Sequence, residues 1–447
     1  SMPNFPKEMV LCAMNAYING DSEVQNQASQ YLQEYQDSPE AWTLSSHFIA
    51  SMKELPESIA CLAAVTMRHK LRVYWNQLTT DEQYYLFGYF VYFLVGAHDS
   101  GLRKLMEGLG AVIAVLVLRM RHDFASLCAS VTPTANLADS APAAYLEVLQ
   151  MLPVEAKLLN EEARLKFEIP NLLSQLAILH ARQDLDSMYI LHRSMRVCCI
   201  WMRAHVVEVD QLFAHPVVAH AFQLVKDAQL LDGRFYEEAC ELLCAFLDHV
   251  MYAHQAKILN ADLEAHIYAI CCTVPLPVMS DADTLSSAAF FFMKVSQVFA
   301  GVNPGQPQSM LEQRGPFCYE MLFQVTKFCD LRTITATLSN WMSLFDRLPL
   351  CFDFTTHQLF QPLIGRIIDV LFDNCRYPEV RPKHNSPEYE DKLQYRMQLD
   401  DVLAKLSNLS HIVPLKSLLK KLIAKAMDSE TSWMDVEASL FFVRGMV

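Results

Sequence analysis

Glycine is scarce in this chain, with only 12 glycines among 447 residues. Leucine, alanine, methionine and phenylalanine are common instead. These residues favour helices, whereas glycine destabilises them. Alternating runs of β-branched residues, the usual pattern of half-buried strands, are also few. The composition therefore predicts an all-α protein and argues against a large sheet.

Cysteine pairs with metal-binding or redox spacing are lacking. The chain has 13 cysteines, an odd number, and no CxxC motif. Zinc ribbons and thioredoxin-like sites depend on such close pairs. Cysteines scattered over apolar helices are usually small core residues of proteins kept in a reducing compartment. We therefore expect no metal site, and a location in the cytoplasm or the nucleus.

Long hydrophobic runs are absent too. The longest apolar run, residues 108–118, is about half of the ~20 residues that a membrane-spanning helix needs. The first residues are polar and lack the continuous apolar core of a secretory signal. The sequence predicts no membrane insertion, and residues 108–118 are expected to form a buried helix.

Catalytic motifs are missing as well. The sequence contains no GxxxxGK[ST] loop, no GxSxG turn and no HExxH helix, the patterns that position phosphates, a serine nucleophile and zinc. His215 and His220 are five residues apart, so they do not share a helix face as an i,i+4 pair would. A cysteine–histidine hydrolase remains an alternative, because such residues pair in space. We predict no enzyme activity and no cofactor.

Acidic residues outnumber basic ones, and the formal net charge is −14. Proteins that bind nucleic acids directly need lysine and arginine opposite the phosphates, so no direct nucleic-acid binding is expected. An acidic chain suits basic protein partners, which it attracts electrostatically. The alternative is that the charge serves solubility alone.

Helical patterns of mostly 15 to 22 residues recur from end to end. Two such helices with their turns give a period of ~40–47 residues, as in HEAT-type arrays. The spacing predicts a superhelical HEAT-repeat solenoid of antiparallel helix pairs, with a globular bundle as the alternative. The expected breaks between helices include residues 19–21, 37–39, 55–56, 79–81, 98–101, 132–134, 152–153, 169–170, 215–216, 231–233 and 273–277.

Two stretches are expected to be long non-helical loops, residues 300–316 and 375–391. Long loops within a compact array are often functional, although a solvated connection is the alternative. The chain stops at Val447 directly after an apolar helical pattern. Because a solenoid needs a polar terminal repeat to be soluble, we expect an N-terminal fragment of a longer protein.

Two strings near the start are the most informative. Residues 31–49 read YLQEYQDSPEAWTLSSHFI, two helical patterns broken at residues 37–39. Residues 61–75 read CLAAVTMRHKLRVYW, with small Ala63 and Ala64 side by side before a basic cluster. This arrangement resembles the N-terminal domain of the importin-β family of nuclear transport receptors.

The resemblance continues along essentially the whole chain. Residues 145–155 (YLEVLQMLPVE), 395–406 (YRMQLDDVLAKL) and 433–442 (WMDVEASLFF) are similar to strings of the transportin-three/importin-thirteen branch. The resemblance implies an N-terminal domain of Ran-binding type over residues 1–110. Residues 111–447 would then be further HEAT-like repeats, truncated before the C-terminal half.

This resemblance implies a monomeric receptor that shuttles between cytoplasm and nucleus. Its partners would be Ran-GTP, Phe-Gly nucleoporins and basic or arginine-serine-rich protein cargo. An importer, whose cargo Ran-GTP releases, is the leading hypothesis. An exporter or bidirectional carrier, and a HEAT-repeat scaffold without Ran dependence, are the alternatives.

Family members hold Ran with inner helices of the first repeats and with acidic patches in the middle repeats. By position, the resemblance implies six Ran-binding candidates: Arg68, Lys70, Arg72, Glu388, Glu390 and Asp391. The alternative for the cations is a solvated helix end, where positive charge favours the helix dipole. Trp42 and Trp75 are expected in the core, because large aromatic residues at apolar helical positions are mostly structural.

Overall fold

A computed structural model describes residues 5–121, 137, 141–181, 187–227, 233–277, 282–303, 305–351, 354–378, 386–409, 415–428 and 431–446. Within these ranges the chain forms twenty α-helices and two single 3₁₀ turns, without any strand. The predicted all-α class is confirmed. The chain divides into two compact units, Ser1–Val217 and Val218–Val447.

The first unit is built from ten helices within its described residues. They are α1 Lys7–Asn19, α2 Ser22–Asp37, α3 Glu40–Ala50, α4 Glu57–Val73, α5 Thr80–Asp99, α6 Arg103–Met120, α7 Pro142–Leu159, α8 Glu162–His180, α9 Ser187–Arg203 and α10 Val209–Phe213. Helix α11, Pro216–Lys226, begins at the end of this unit and continues into the next. Residue 110, where the resemblance implies a division, lies inside α6.

Nine further helices lie in the described part of the second unit. They are α12 Gly233–Gln255, α13 Ala261–Cys271, α14 Ala282–Phe299, α15 Gln308–Thr326, α16 Leu331–Arg347, α17 Phe354–Cys375, α18 Pro387–Ser407, α19 Leu415–Met427 and α20 Trp433–Met446.

Consecutive helices pack in pairs, and one helix of each pair stacks on the next pair. In the first unit α1 pairs with α2, α3 with α4 and α5 with α6, while α4, α6, α7 and α9 form a stacked row. In the second unit α12, α14, α16, α18 and α20 form such a row. This pairing confirms the predicted HEAT-like organisation.

Hydrogen bonds between stacked helices show the repeat length directly. The Asn340 amide donates to the Met293 carbonyl over 2.9 Å, and these residues are 47 positions apart. Arg119 Nη2 donates to the Arg72 carbonyl over 2.6 Å, again 47 positions away. These separations agree with the repeat of ~40–47 residues expected for HEAT arrays.

Local capping chemistry explains several of the predicted breaks. The carboxylate of Asp21 accepts hydrogen bonds from the backbone of Glu23 and Val24, at 3.1 and 3.0 Å, and so starts α2. Thr79 and Glu82 form a capping box at the start of α5. These bonds satisfy amides that lack partners in the first turn of a helix. The breaks at residues 19–21 and 79–81 are therefore confirmed.

The predicted break at residues 152–153 is wrong, because α7 continues through Pro153. A proline has no N–H to donate to the carbonyl four residues earlier, which here belongs to Leu149. The indole Nε1 of the buried Trp201 donates to this carbonyl over 2.8 Å. A side chain of α9 therefore replaces the missing hydrogen bond. The predicted break at residues 169–170 is also wrong, since Pro170 lies inside α8.

Both predicted long loops are shorter than expected. Helix α15 begins at Gln308, so residues 300–303 and 305–307 are the described part of the first loop that lies outside a helix. Pro316 is inside α15, another proline that does not end a helix. Helix α17 extends to Cys375 and α18 begins at Pro387, while residues 379–385 lie outside the described residues. The predicted break at residues 132–134 and part of that at 231–233 also lie outside them.

The apolar run at residues 108–118 belongs to α6, where the residues from Leu109 to Leu118 are buried. The prediction of a buried helix is confirmed. Among the residues that the structure describes, no helix has the length and hydropathy to cross a membrane.

The hydrogen bond from Trp201 to the Leu149 carbonyl generates a testable prediction. Trp201→Phe leaves the buried Leu149 carbonyl without its donor, which costs about 1–3 kcal/mol in addition to lost packing. In a Pro153→Ala background the alanine N–H can bond this carbonyl. Trp201→Phe should then lower the thermal unfolding midpoint by less than it does in the parent chain. Equal losses in the two backgrounds would contradict the compensation.

Candidate partner-binding site

The first group of candidates lies on α4, a helix whose small residues allow close packing. Ala60, Ala63 and Ala64 are buried, and a Cβ on Gly108 of α6 would come within 3.3 Å of the Ala64 Cβ. Close packing of α4 on α6 places the last turn of α4, with the basic cluster, near both α2 and α7.

Lys70 is buried, with only 1 % of its surface exposed. Its ammonium donates to the Ser38 carbonyl over 3.0 Å and to the Asp37 carbonyl over 3.5 Å. These carbonyls end α2, where the helix dipole is negative. The ammonium also lies 4.0 Å from the centre of the Tyr74 ring, a cation–π distance. Burial lowers the pKa of Lys70, and the charge of Asp37 opposes this effect.

The alternative of a solvated helix end is wrong for Lys70, because its ammonium is buried and bonds the end of α2, not the end of its own helix α4. Its ammonium is enclosed by protein groups, which leaves little of it for a partner. Trp42 also contacts this ammonium, at 5.4 Å from the ring centre. Trp42 and Trp75 are half-buried, whereas Trp201 and Trp341 are the fully buried tryptophans of the described residues.

Arg68 and Arg72 both bind one buried carboxylate, that of Glu155 on α7. Arg72 donates through Nε and Nη2 over 2.8 and 2.7 Å, and Arg68 forms a close ion pair with the same group. The Glu155 side chain is inaccessible, while the two arginine side chains are 25 % and 27 % exposed. Two arginines thus neutralise a carboxylate that would be costly to bury alone. They also join α4 to α7.

Asp37 completes the cluster from the end of α2. His69 Nε2 lies 3.0 Å from its carboxylate, and the Tyr74 hydroxyl donates to it over 2.9 Å. These two hydrogen bonds lower the pKa of Asp37. No local pattern indicates Asp37 or Glu155 as partners of the basic cluster, because the pairing depends on α2 and α7 packing against α4.

The acidic candidates belong to the first turns of α18, and not to the end of a loop as predicted. The Ser386 hydroxyl accepts from the backbone of Tyr389 over 3.3 Å and caps the helix. Acidic residues are favourable there because a helix N-terminus carries partial positive charge. Glu388 and Glu390 are exposed, whereas Asp391 forms an ion pair with Arg332 of α16 over 2.8 Å.

The three cations lie in the first unit and the three carboxylates in the second. Within the first unit the structure brings Arg68, Lys70 and Arg72 together around the ends of α2 and α4. Glu388 and Glu390 present free surface charge. Among the described residues, no cluster of three histidine, cysteine or acidic side chains could hold a metal ion.

The sequence of the first unit is similar to a known protein domain. Residues 28–86, which run from α2 into α5, match the importin-beta N-terminal domain. An uncharacterised protein of Schizosaccharomyces pombe is 23 % identical and aligns with 98 % of this chain and 48 % of its own. The chain therefore resembles the importin-β family, both in this domain and along nearly its whole aligned length.

Two further relatives of this chain have functional names. The mRNA transport regulator MTR10 of Saccharomyces cerevisiae is 22 % identical over 94 % of this chain and 44 % of its own. Importin-13 of Bos taurus is 22 % identical over 95 % of this chain and 46 % of its own. The chain spans about half the length of the curated relatives it matches.

A prediction follows for Lys70. Lys70→Met keeps the apolar stem but removes the donor of the Asp37 carbonyl and leaves the Ser38 carbonyl only the Ala41 amide, at a cost of about 1–3 kcal/mol. The thermal unfolding midpoint should fall, while Lys53→Met at an exposed lysine should leave it unchanged. An unchanged midpoint for Lys70→Met would show that the ammonium does not stabilise the end of α2.

A second buried carboxylate on α7 is less well compensated. Glu147 lies two turns before Glu155, and Arg193 Nη1 is 2.8 Å from its Oε1. Glu107 of α6 competes for this arginine at 3.8 Å. Burial raises the pKa of Glu147 to about 7, the charge of Arg193 lowers it, Glu107 raises it and Arg196 lowers it.

This environment predicts a pH dependence of stability. The folded-state pKa of Glu147 exceeds its ordinary value of 4.5, so the folded chain binds this proton more tightly than the unfolded chain does. The free energy of unfolding should therefore fall as the pH rises from about 4.5 to about 7, by up to about 3 kcal/mol. Glu147→Gln should remove this part of the decline in unfolding midpoints. Glu54→Gln, at an exposed site, should show the same decline as the parent chain. An unaltered pH profile in Glu147→Gln would refute the assignment.

Proposed function

We propose that this chain is part of a nuclear transport receptor that carries protein cargo through the nuclear pore. We further propose that it acts as an importer, whose cargo is released when Ran-GTP binds the first repeats. The observation that carries the proposal is the match of residues 28–86 to the importin-beta N-terminal domain. The names of the relatives, an mRNA transport regulator and importin-13, support it.

Ran-GTP and cargo would then weaken each other's binding through the chain of helical repeats. Ran-GTP and cargo each favour a different arrangement of the repeats, so each lowers the affinity for the other, and this coupling is reciprocal. The cargo would be a basic or arginine-serine-rich protein, in keeping with the net charge of −14. Weak contacts with Phe-Gly nucleoporins would allow the receptor to shuttle between cytoplasm and nucleus.

On α4 we propose that Ran meets the outer edges of Arg68 and Arg72. Val65 is exposed on the same helix, and positions 65, 68 and 72 follow i,i+3,i+7 spacing along one face. Lys70 would act indirectly, because its buried ammonium bonds the carbonyls at the end of α2 and is not available at the surface. Charge reversal at Lys70 would therefore test folding before it tests binding.

On α18 we propose that Glu388 and Glu390 face a basic patch of Ran. Exposed charges at the rim of an interface mainly raise the association rate and the specificity. Asp391 would contribute less, since Arg332 already neutralises it. Replacing exposed Glu388 and Glu390 removes no internal ion pair in the described part of the chain, which makes these residues the cleaner test of the Ran interface.

The direct experiment measures binding of this chain, and of the full-length protein, to Ran loaded with GTP or GDP. Selective binding of the GTP form is expected. Binding that ignores the nucleotide in both proteins would favour a scaffold. If Ran-GTP binds and increases the affinity for a basic arginine-serine peptide, the receptor is an exporter; a decrease identifies an importer.

A pair of variants tests the acidic site. Glu388→Gln with Glu390→Gln should slow association with Ran-GTP up to about tenfold at low salt, with a smaller difference at high salt. Glu208→Gln with Asp210→Asn is the matched control, because these two carboxylates are exposed with the same spacing. Equal association rates for both double variants would remove Glu388 and Glu390 from the interface.

A further inference from the structure

Aromatic rings are concentrated on the surface of α5, in the first unit. Tyr85 and Tyr92 keep 68 % and 72 % of their surfaces exposed and are the most exposed tyrosines of the described residues. An α-helix turns by about 100° per residue, so these two residues and Gly88 between them lie within about 60° on one face. Because glycine has no side chain, the face presents two tyrosine rings with an open step between them.

Half-buried rings support the two exposed tyrosines from behind. The Tyr89 hydroxyl donates to the Ser46 carbonyl of α3 over 2.7 Å, which fixes the ring of Tyr89. The centre of this ring lies 6.0 Å from that of Tyr85 and 4.7 Å from that of Phe93. Phe93 in turn meets Tyr92 edge to face at 5.1 Å. Rings held in this way lose little freedom when a ligand binds, which favours affinity.

The fixed charges of α5 are all negative, since the helix contains no lysine or arginine. Asp81 and Asp99 are exposed. By the same helical geometry they share the face of the tyrosines, one before Tyr85 and the other after Tyr92. His98 Nδ1 lies 3.1 Å from the Asp99 carboxylate, yet 70 % of the Asp99 side chain remains exposed. The face therefore combines aromatic rings with negative charge, a combination that attracts cations more than neutral apolar groups.

Elsewhere in the chain such rings are covered by the protein's own arginines. The guanidinium carbon of Arg314 lies 4.8 Å from the ring centre of Tyr268, and that of Arg396 lies 4.3 Å from the ring centre of Tyr377. These are cation–π distances. Within the described residues, no lysine or arginine covers the two exposed rings of α5. They are therefore available to a cation from outside.

We propose that this face of α5 binds an arginine-rich segment of a partner protein, in which an arginine recurs at every third residue. Seven helical residues separate Tyr85 from Tyr92 by about 10.5 Å along the axis. A polyproline II segment turns once in three residues and rises about 3.1 Å per residue, which places such arginines on one side at intervals of about 9.3 Å. One guanidinium would stack on each ring, and flanking arginines would face Asp81 and Asp99. This binding goes beyond the proposed function, because it would hold for a receptor and for a scaffold alike.

The probe is a peptide of four Arg-Gly-Gly units, titrated into the full chain by calorimetry. A lysine counterpart keeps the charge but lacks the planar group that stacks on a ring. Two Arg-Arg-Gly-Gly-Gly-Gly units keep the composition but lose the spacing. We expect both controls to bind at least about fivefold more weakly than the probe. Equal binding of either control, or no binding of the probe at about 1 mM, would overturn the proposal.

A peptide of four Phe-Gly-Gly units tests the other occupant that an exposed aromatic face could take. It should bind the full chain at least about fivefold more weakly than the arginine probe, because it brings no charge to the two aspartates. Tighter binding of the phenylalanine peptide, displaced by the arginine probe, would show that the face docks apolar side chains and would also overturn the proposal.

Three double variants locate the binding. Tyr85→Leu with Tyr92→Leu removes the rings and should weaken the arginine probe at least about fivefold. Tyr85→Phe with Tyr92→Phe keeps the ring faces and should bind within about twofold of the parent chain. Tyr17→Leu with Tyr252→Leu, at exposed tyrosines of α1 and α12, is the matched control and should bind like the parent. If the first variant binds like the parent with an unchanged unfolding midpoint, or if the second loses as much as the first, the arginines do not stack on these rings.

Discussion

The carbonyl ends of helices have no partner within their own helix, and cations from other helices bind them repeatedly in this chain. Lys70 bonds the end of α2, Arg119 the end of α4 and Arg164 the end of α6. In the second unit Arg396 bonds the Cys375 carbonyl, which ends α17, over 2.7 Å. Each such bond ties the end of one helix to another helix, and the Arg119 bond does so between α4 and α6 of the stacked row in the first unit.

This arrangement limits what the basic residues can do for a partner. A lysine or arginine that satisfies an internal carbonyl or carboxylate offers only its remaining surface, as Arg68 and Arg72 do around Glu155. Exposed carboxylates that form no ion pair in the described part of the chain, such as Glu388 and Glu390, keep their charge available to a partner. The net charge of −14 is consistent with the proposed basic cargo.

The sequence predicted those features that depend on neighbouring residues. Asp21 and Thr79 start helices through bonds to amides two or three residues away, and such breaks were placed correctly. The predicted break at Pro153 is wrong because the compensating donor, Trp201, lies 52 residues beyond the Leu149 carbonyl that it bonds. The partners of the candidate cations were missed for the same reason, since Glu155 lies 83 residues after Arg72. Helix content and helix pairing can therefore be predicted from the sequence. The partners and the exposure of a charged side chain depend instead on how the helices pack.

The number of residues between two bonded groups also determines when their contact can form during synthesis. Most bonds between stacked helices join residues 40 to 60 positions apart, as between Asn340 and Met293, so each pair can dock soon after it leaves the ribosome. The bond between Arg72 and Glu155 spans 83 positions. Until α7 has been translated, Arg68 and Arg72 lack the Glu155 carboxylate, so α4 then carries two positive charges that only a later helix neutralises.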